Sequence, residues 1–458
     1  MLLSSWFLAL LIGLASSSLF GWVALEVRRF RRRRLGRPFL RRRRALLARA
    51  GALLLVVVLS AAAAADGVNR HFGYIPTMAA LMGNVSPDLD RRPQVDGNQE
   101  LALGPAATGT HRLPAHGVVQ KVTIPGTVSG VGNRTGYVYL PPAYFDSSTP
   151  DRRFPVLYLI HGSPGTAVDW LRGGYVDRTM DQLLRKGRIE PFIVVLPDVN
   201  GGYGRDVECE DVVGGPHAQT YLVTDVVGWV DSRYRTLADR SDRAIGGLST
   251  GGYCGINLTF RHQDVFSAAV SHSGYGRPDR NRYTGDLFGG SNALADANTP
   301  GFYLPTIPLH LPIGVYMDAG SADTGSRTES TRLFEMFRKR GVTVSLEIVA
   351  GESHTFVAFR QNLELSLPWV SRWFEAQGAV SGVQFVAAPD ASYLPPPSPA
   401  DMGRPRRRCS AAPRPTSQGT TPQSSRVVAS QNSGSALPAR PACRAPAPTT
   451  RPRTAQPH

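Results

Sequence analysis

Between Gly117 and Gln377, short runs rich in Val, Ile and Leu alternate with longer stretches of helical character. The strand candidates are Val118–Ile124, Gly136–Leu140, Phe154–Ile160, Phe192–Leu196, Arg243–Ile245, Ser267–Ser271, Ile313–Met317 and Val344–Ile348. Several are continuous apolar runs, the pattern of strands buried on both faces. Helix candidates lie between them at Val168–Lys186, Thr220–Tyr234, Gly251–Arg261, Arg327–Arg340 and Leu363–Glu375. Such alternation predicts an α/β fold, a mainly parallel sheet with helices on both faces. About 260 residues suits one such domain.

The ends of the chain differ in kind. The 458 residues carry a formal net charge of +16, which on its face suggests a nucleic-acid binder. The charge is not spread evenly. Residues 1–70 carry +11 and residues 401–458 carry +9, which leaves −4 for residues 71–400. No specific nucleic acid is therefore expected as a partner. The N-terminal charge is an arginine block, Arg28 to Arg44, between two apolar runs. Leu2–Leu25 is free of charge for 24 residues, long enough for a transmembrane helix, which needs about 20. Ala50–Ala65 is shorter, and Ala45–Ala48 extend it if Arg49 snorkels. By the positive-inside rule the arginine loop stays in the cytoplasm and everything after Asp66 is exported. The competing view makes the second run a cleaved secretory signal, which exports the same residues. The expected organisation is a membrane anchor of one or two helices at 1–66, a linker at 67–115 with one short helix near Met78–Met82, a catalytic domain at 116–380, and a disordered Pro/Arg-rich tail at 381–458.

Gly247-Leu248-Ser249-Thr250-Gly251 is the only G-x-S-x-G in the chain. It follows the strand candidate at Arg243 and opens the helix candidate at Gly251. A serine on such a sharp strand-to-helix turn stands clear of the sheet end, and small residues two positions either side let strand and helix approach. A nucleophilic serine also needs two N–H groups aimed at the developing oxyanion, and removing one donor raises the barrier by roughly 3–4 kcal/mol. Thr250 should give the first. The loop after Phe154–Ile160, His161-Gly162-Ser163-Pro164, should give the second from Ser163, since Pro164 has no N–H. His161 itself reads as a buried imidazole bonded to backbone.

Sheet-based serine sites run Ser, then Asp or Glu, then His. Of the later histidines, His262 ends the nucleophile helix, His272 comes too early, His310 precedes a strand and His458 is in the tail. His354 follows the last strand, where a base is presented. The acid should follow the preceding strand, and Asp323 is the choice, with Asp318 and Glu329 in reserve. Asp323 could equally cap the helix that begins near Arg327.

With these pieces in order, the chain resembles the esterase D-type branch of the α/β-hydrolases, a group that also holds feruloyl esterases and mycobacterial mycolyltransferases. The matching segments are Tyr137–Pro142, Val156–Gly162, Gly247–Gly252, Ala319–Asp323 and Gly351–His354. The resemblance implies an α/β-hydrolase fold, an esterase or acyltransferase with Ser249, Asp323 and His354 as its triad, and an ester or acyl-sugar substrate. Membrane-anchored relatives of this kind imply an actinobacterial cell-envelope protein. A catalytically silent glycan- or partner-binding protein on the same fold is the alternative.

Four cysteines are too few for a disulfide scaffold. Cys209 and Cys254 both fall in the domain, and a bond between them would pin the 201–215 loop beside the nucleophile helix; two free thiols are the alternative. Trp170, Tyr175 and Trp229 could line an acyl pocket or fill core. No residue spacing points to a metal, and no cofactor is expected.

Overall fold

The computed structural model describes residues 13–14, 16–25, 28, 40–73, 114–202 and 205–381. The Met78–Met82 helix and all but the first residue of the 381–458 tail lie outside them. Helix α1 spans Leu40–Phe72. It carries the second apolar run and passes the expected boundary at Asp66, because the chain first takes a left-handed turn at Gly73, whose N–H reaches the Asn69 carbonyl. The apolar part, Ala50–Ala65, is about 24 Å long at 1.5 Å per residue, short of a hydrocarbon core of about 30 Å. Among the described residues no helix is long and apolar enough to cross a membrane. The expectation of a span is thus not met there, and Leu2–Leu25 lies partly outside the described residues.

The domain is built on eight strands: β1 (Val118–Gly126), β2 (Gly132–Leu140), β3 (Val156–Ile160), β4 (Ile193–Pro197), β5 (Arg243–Leu248), β6 (Ala268–His272), β7 (Gly314–Gly320) and β8 (Thr343–Val349). They form one sheet in the order β1-β2-β4-β3-β5-β6-β7-β8. β1–β2 and β2–β4 pair antiparallel and the rest are parallel. The apolar runs became the central strands, buried along their whole length from β3 to β7. Alternate side chains feed opposite faces. Val156, Tyr158 and Ile160 enter one core, Leu157 and Leu159 the other.

Helices α2 (Asp169–Arg172), α3 (Val176–Arg185), α4 (Val227–Arg233), α5 (Thr250–Arg261), α6 (Asn292–Ala297), α7 (Pro300–Tyr303), α8 (Thr324–Lys339) and α9 (Phe356–Ser381) cover the sheet. One face packs on α3 and α9, through Met180, Leu183, Leu363 and Leu367. The other packs on α4, α5 and α8, through Val230, Leu258 and Phe337.

Three helices differ from expectation. Val168–Lys186 is two helices, broken at Gly173-Gly174-Tyr175. A Cβ on Gly173 would sit 2.6 Å from the Phe356 ring and one on Gly174 2.7 Å from Trp170, so the glycines let those rings pack. Thr220–Tyr234 is entered through a π-helical turn, Tyr221–Val226. The last helix begins at Phe356 rather than Leu363, with the Thr355 hydroxyl accepting the Ala358 N–H. Residues 273–312, for which the sequence offered no helix candidate, hold the short helices α6 and α7.

Candidate active site

Ser249 sits between β5 and α5 with φ 54° and ψ −115°. A non-glycine residue in that region costs about 1–3 kcal/mol and persists only when its surroundings hold it there. They do so by hydrogen bonds on both sides. The Ser249 N–H donates to the His272 carbonyl at 2.8 Å, and its carbonyl accepts from Gly252 and Tyr253. The flanking glycines have a measurable reason. A Cβ on Gly247 would come within 2.1 Å of the Ile160 carbonyl oxygen, and one on Gly251 within 2.2 Å of the same atom. The turn is therefore wedged against the end of β3, and only hydrogen fits at both positions.

The loop after β3 lies beside this turn. A Cβ on Gly162 would be 3.5 Å from Ser249 Cβ. Ser163 follows, half-buried. Thr250, the first residue of α5, is 6% exposed. His161 is buried, with Nδ1 2.8 Å from the Gly162 carbonyl and Nε2 accepting the Val199 N–H. The ring thus braces backbone on both sides, as expected from the sequence, and its Nε2 also faces Asp198 Oδ1 at 3.6 Å.

Asp323 and His354 meet. His354 Nδ1 lies 2.7 Å from Asp323 Oδ2. The other oxygen of Asp323 accepts the Ser326 N–H at 3.3 Å, so the residue caps α8 and pairs with the imidazole at once. Burial works to raise the Asp323 pKa, but the bond and charge of His354 and the Ser326 N–H outweigh it and hold the carboxyl below its usual range. The imidazole packs edge-on against Phe359 and keeps 41% of its side chain exposed. Ser249, Asp323 and His354 follow β5, β7 and β8, which run parallel, so all three stand at the carboxyl ends of their strands.

The reserve acids are engaged elsewhere. Asp318 is fully buried, with Oδ2 2.6 Å from His272 Nδ1 and Oδ1 accepting from the Asn362 amide. Glu329 pairs with Arg332 on the surface of α8 at 2.8 Å. His262 is half-buried, and its imidazole is pushed down to about 4, by desolvation first and then by Arg261. Trp170 is core, donating to the Ile160 carbonyl. Tyr175 lies between the Arg178 and Arg360 guanidinium groups, and Trp229 packs on Tyr234 and Arg233. Among the described residues no group of three or more His, Cys, Asp or Glu is placed to hold a metal ion.

Cys209 and Cys254 are joined by a disulfide with a Cα–Cα distance of 5.8 Å. It ties the 201–215 loop to α5. That loop carries a cluster the sequence analysis passed over: Asp206, Glu208 and Glu210, exposed by only 4%, 1% and 1%. Their one sequence signal is three acids in five residues around a cysteine. Burial and then the charge of Asp206 push Glu208 up to about 9. Burial raises Glu210 to about 7 against the pull of Arg261.

The profile of the Esterase family ("Putative esterase") matches residues 131–370, more than half of the chain. An uncharacterized protein of Corynebacterium glutamicum is 30% identical over 270 residues, 56% of this chain and 62% of the relative. An endo-1,4-beta-xylanase/feruloyl esterase of Xylanibacter ruminicola is 27% identical over 254 residues, 54% of this chain and 31% of the relative. An esterase of Mycobacterium tuberculosis is 34% identical over 152 residues, 32% of this chain and 30% of the relative. The chain thus spans less than two thirds of the length of these relatives. A solved ferulic acid esterase superposes with a TM-score of 0.49 at 25% identity, over 57% of this chain and 99% of that one. The fold and the site define a hydrolase-type α/β domain with a serine at the turn after β5. The chain belongs to the Esterase family.

Proposed function

We propose that the protein is a serine carboxylic-ester hydrolase or acyltransferase in which Ser249 is the nucleophile, His354 the base and Asp323 its orienting acid. The observation that carries it is the 2.7 Å Asp323–His354 bond at the same sheet end as the strained Ser249 turn. With Nδ1 bonded to the carboxylate, the lone pair of His354 is on Nε2. Nε2 takes the Ser249 proton as Oγ attacks the ester carbonyl. The backbone N–H groups of Ser163 and Thr250 hold the oxyanion. Collapse expels the alcohol, which takes the proton from Nε2, and leaves an acyl-serine. Water, or a sugar hydroxyl, then attacks the acyl carbonyl and gives its proton to Nε2, and the departing Ser249 Oγ takes that proton back as the acyl group leaves.

Purified full-length protein should label with a fluorophosphonate probe, and Ser249→Ala should not. Equal labelling of the two overturns the assignment. p-Nitrophenyl esters of graded chain length, methyl ferulate, and a trehalose-type acceptor then separate short acyl, aromatic acyl and transfer activity. The aromatic arm follows from the relatives named for feruloyl ester cleavage.

We also propose that the domain works outside the cytoplasm, at the membrane. The arginine block and the 24 uncharged residues of Leu2–Leu25 support this, as does the disulfide, which needs an oxidising compartment. At the end of α1, the Gly73 carbonyl accepts from Arg360 of α9, six residues past His354. An anchor ahead of α1 would hold the site near the bilayer.

A further inference from the structure

Behind Thr250 runs a chain of polar groups that the reaction scheme does not use. Thr250 Oγ1 is 3.2 Å from Asp206 Oδ2 and 3.1 Å from the Tyr275 hydroxyl. The same hydroxyl is 2.8 Å from Glu208 Oε2 and 3.0 Å from Oε1. Four groups are therefore linked in a line, and each link needs one proton. The Thr250 and Tyr275 hydroxyls supply one each. The third must be on a carboxyl at one end. Asp206 already accepts the Glu208 N–H on its other oxygen at 2.9 Å, so both of its oxygens serve as acceptors. Among the described residues the Glu208 carboxyl meets only the Tyr275 hydroxyl, and it is 1% exposed.

The loop cannot easily yield its place. Glu208 and Cys209 both have left-handed backbone, at φ 50° and 55°. Cys209 is bonded to Cys254 of α5, and Tyr275 stacks on Tyr253 of the same helix at 5.4 Å. The Tyr253 hydroxyl in turn donates to Glu210.

We propose that Glu208 is a positioning residue for the oxyanion site: as a neutral acid it donates to Tyr275, which donates to Thr250, which donates to Asp206. The line holds the first residue of α5, whose N–H faces the oxyanion. This rests on the serine-esterase function proposed above. Ionised Glu208 would claim the Tyr275 proton and leave the Tyr275–Thr250 contact without one. Among the described residues the groups that act on Glu208 most are Asp206 and Glu210 on its own loop, Asp279 and the Tyr275 hydroxyl, and Glu208 in turn acts on Tyr253; none of these is a cation. Burial and Asp206 hold its titration near about 9, inside an assayable range.

The test is kcat and KM of the full-length protein on a p-nitrophenyl ester, from about pH 6.5 to about 10. Wild type should lose kcat as pH passes about 9, with little change in KM. Glu208→Gln, whose amide can still donate to Tyr275, should keep kcat at neutral pH and lose the alkaline fall. Glu208→Leu and Tyr275→Phe should lower kcat about tenfold at neutral pH, with no further fall. A purely structural role would shift thermal midpoints without splitting kcat from KM. An alkaline fall that is absent in wild type, or survives in Glu208→Gln, overturns the proposal, as does wild-type kcat in Glu208→Leu. If Glu208→Gln does not fold, Tyr275→Phe decides by the same alkaline criterion. Wild type without ester turnover at any pH overturns the esterase function itself, a different result.

Discussion

Glu208 and Glu210 sit in the interior without a full complement of compensating charge, and that has a cost that depends on pH. Their pKa values in the folded protein, about 9 and about 7, lie above the ordinary 4.5. The folded state therefore holds protons that the unfolded chain releases. Stability from these groups is complete below about pH 4.5 and is lost as pH rises toward the folded values, by up to about 1.4 kcal/mol per pH unit for each. Asp323 has the opposite sign, since its pKa is depressed, and its contribution is lost only as pH falls below the usual carboxylate range. The thermal midpoint of wild type should thus decline from about pH 5 to about pH 8, and Glu208→Gln should flatten part of that decline. Parallel midpoint curves for the two proteins would show that Glu208 ionises freely in the native state.

The connection between the 201–215 loop and α5 is an element-scale device. Cys209–Cys254 closes 45 residues and joins the segment that carries the acid cluster to the helix that carries the Ser249 turn. Loop-closure entropy puts its contribution at about 4 kcal/mol at most, with typical bonds contributing about 2–4. Replacing both cysteines by serine should lower the denaturation midpoint by that order while fluorophosphonate labelling of Ser249 persists under native conditions. An unchanged midpoint would mean that packing around Tyr253 and Tyr275 holds the loop without the bond. The elements themselves were unequally legible. All eight strands could be read from the sequence, the central five because strands buried on both faces are continuous apolar runs, while Ser249 followed from its G-x-S-x-G turn and Asp323 and His354 from strand order. The break at Gly173-Gly174-Tyr175 was hidden because its cause is Phe356, 180 or more residues away. The Glu208–Tyr275–Thr250 line was equally hidden. Three acids in a loop read as solvated charge, and their partners are far along the chain: the Tyr275 hydroxyl on Glu208, Thr250 on Asp206, and Tyr253 and Asn257 on Glu210.

For the whole molecule, the topology proposed above would give the uneven charge its meaning: a body of −4 lies between ends of +11 and +9, and the arginine block would be the cytoplasmic loop of the positive-inside rule. The α1 apolar stretch is too short to span on its own, so on the proposed topology retention at the membrane would rest on Leu2–Leu25, while either run would serve export. The disulfide is the independent support, because glutathione and thioredoxin keep cytosolic thiols reduced. Protease added to intact cells should therefore degrade the catalytic domain. A maleimide reagent applied under denaturing, non-reducing conditions should leave Cys209 and Cys254 unmodified until they are reduced. Removing residues 1–27 should release the domain from the membrane fraction without blocking its export if Ala45–Ala65 can act as a signal. Full protection from external protease, together with free thiols at both positions, would place the serine in the cytoplasm and leave the arginine block without a topological role.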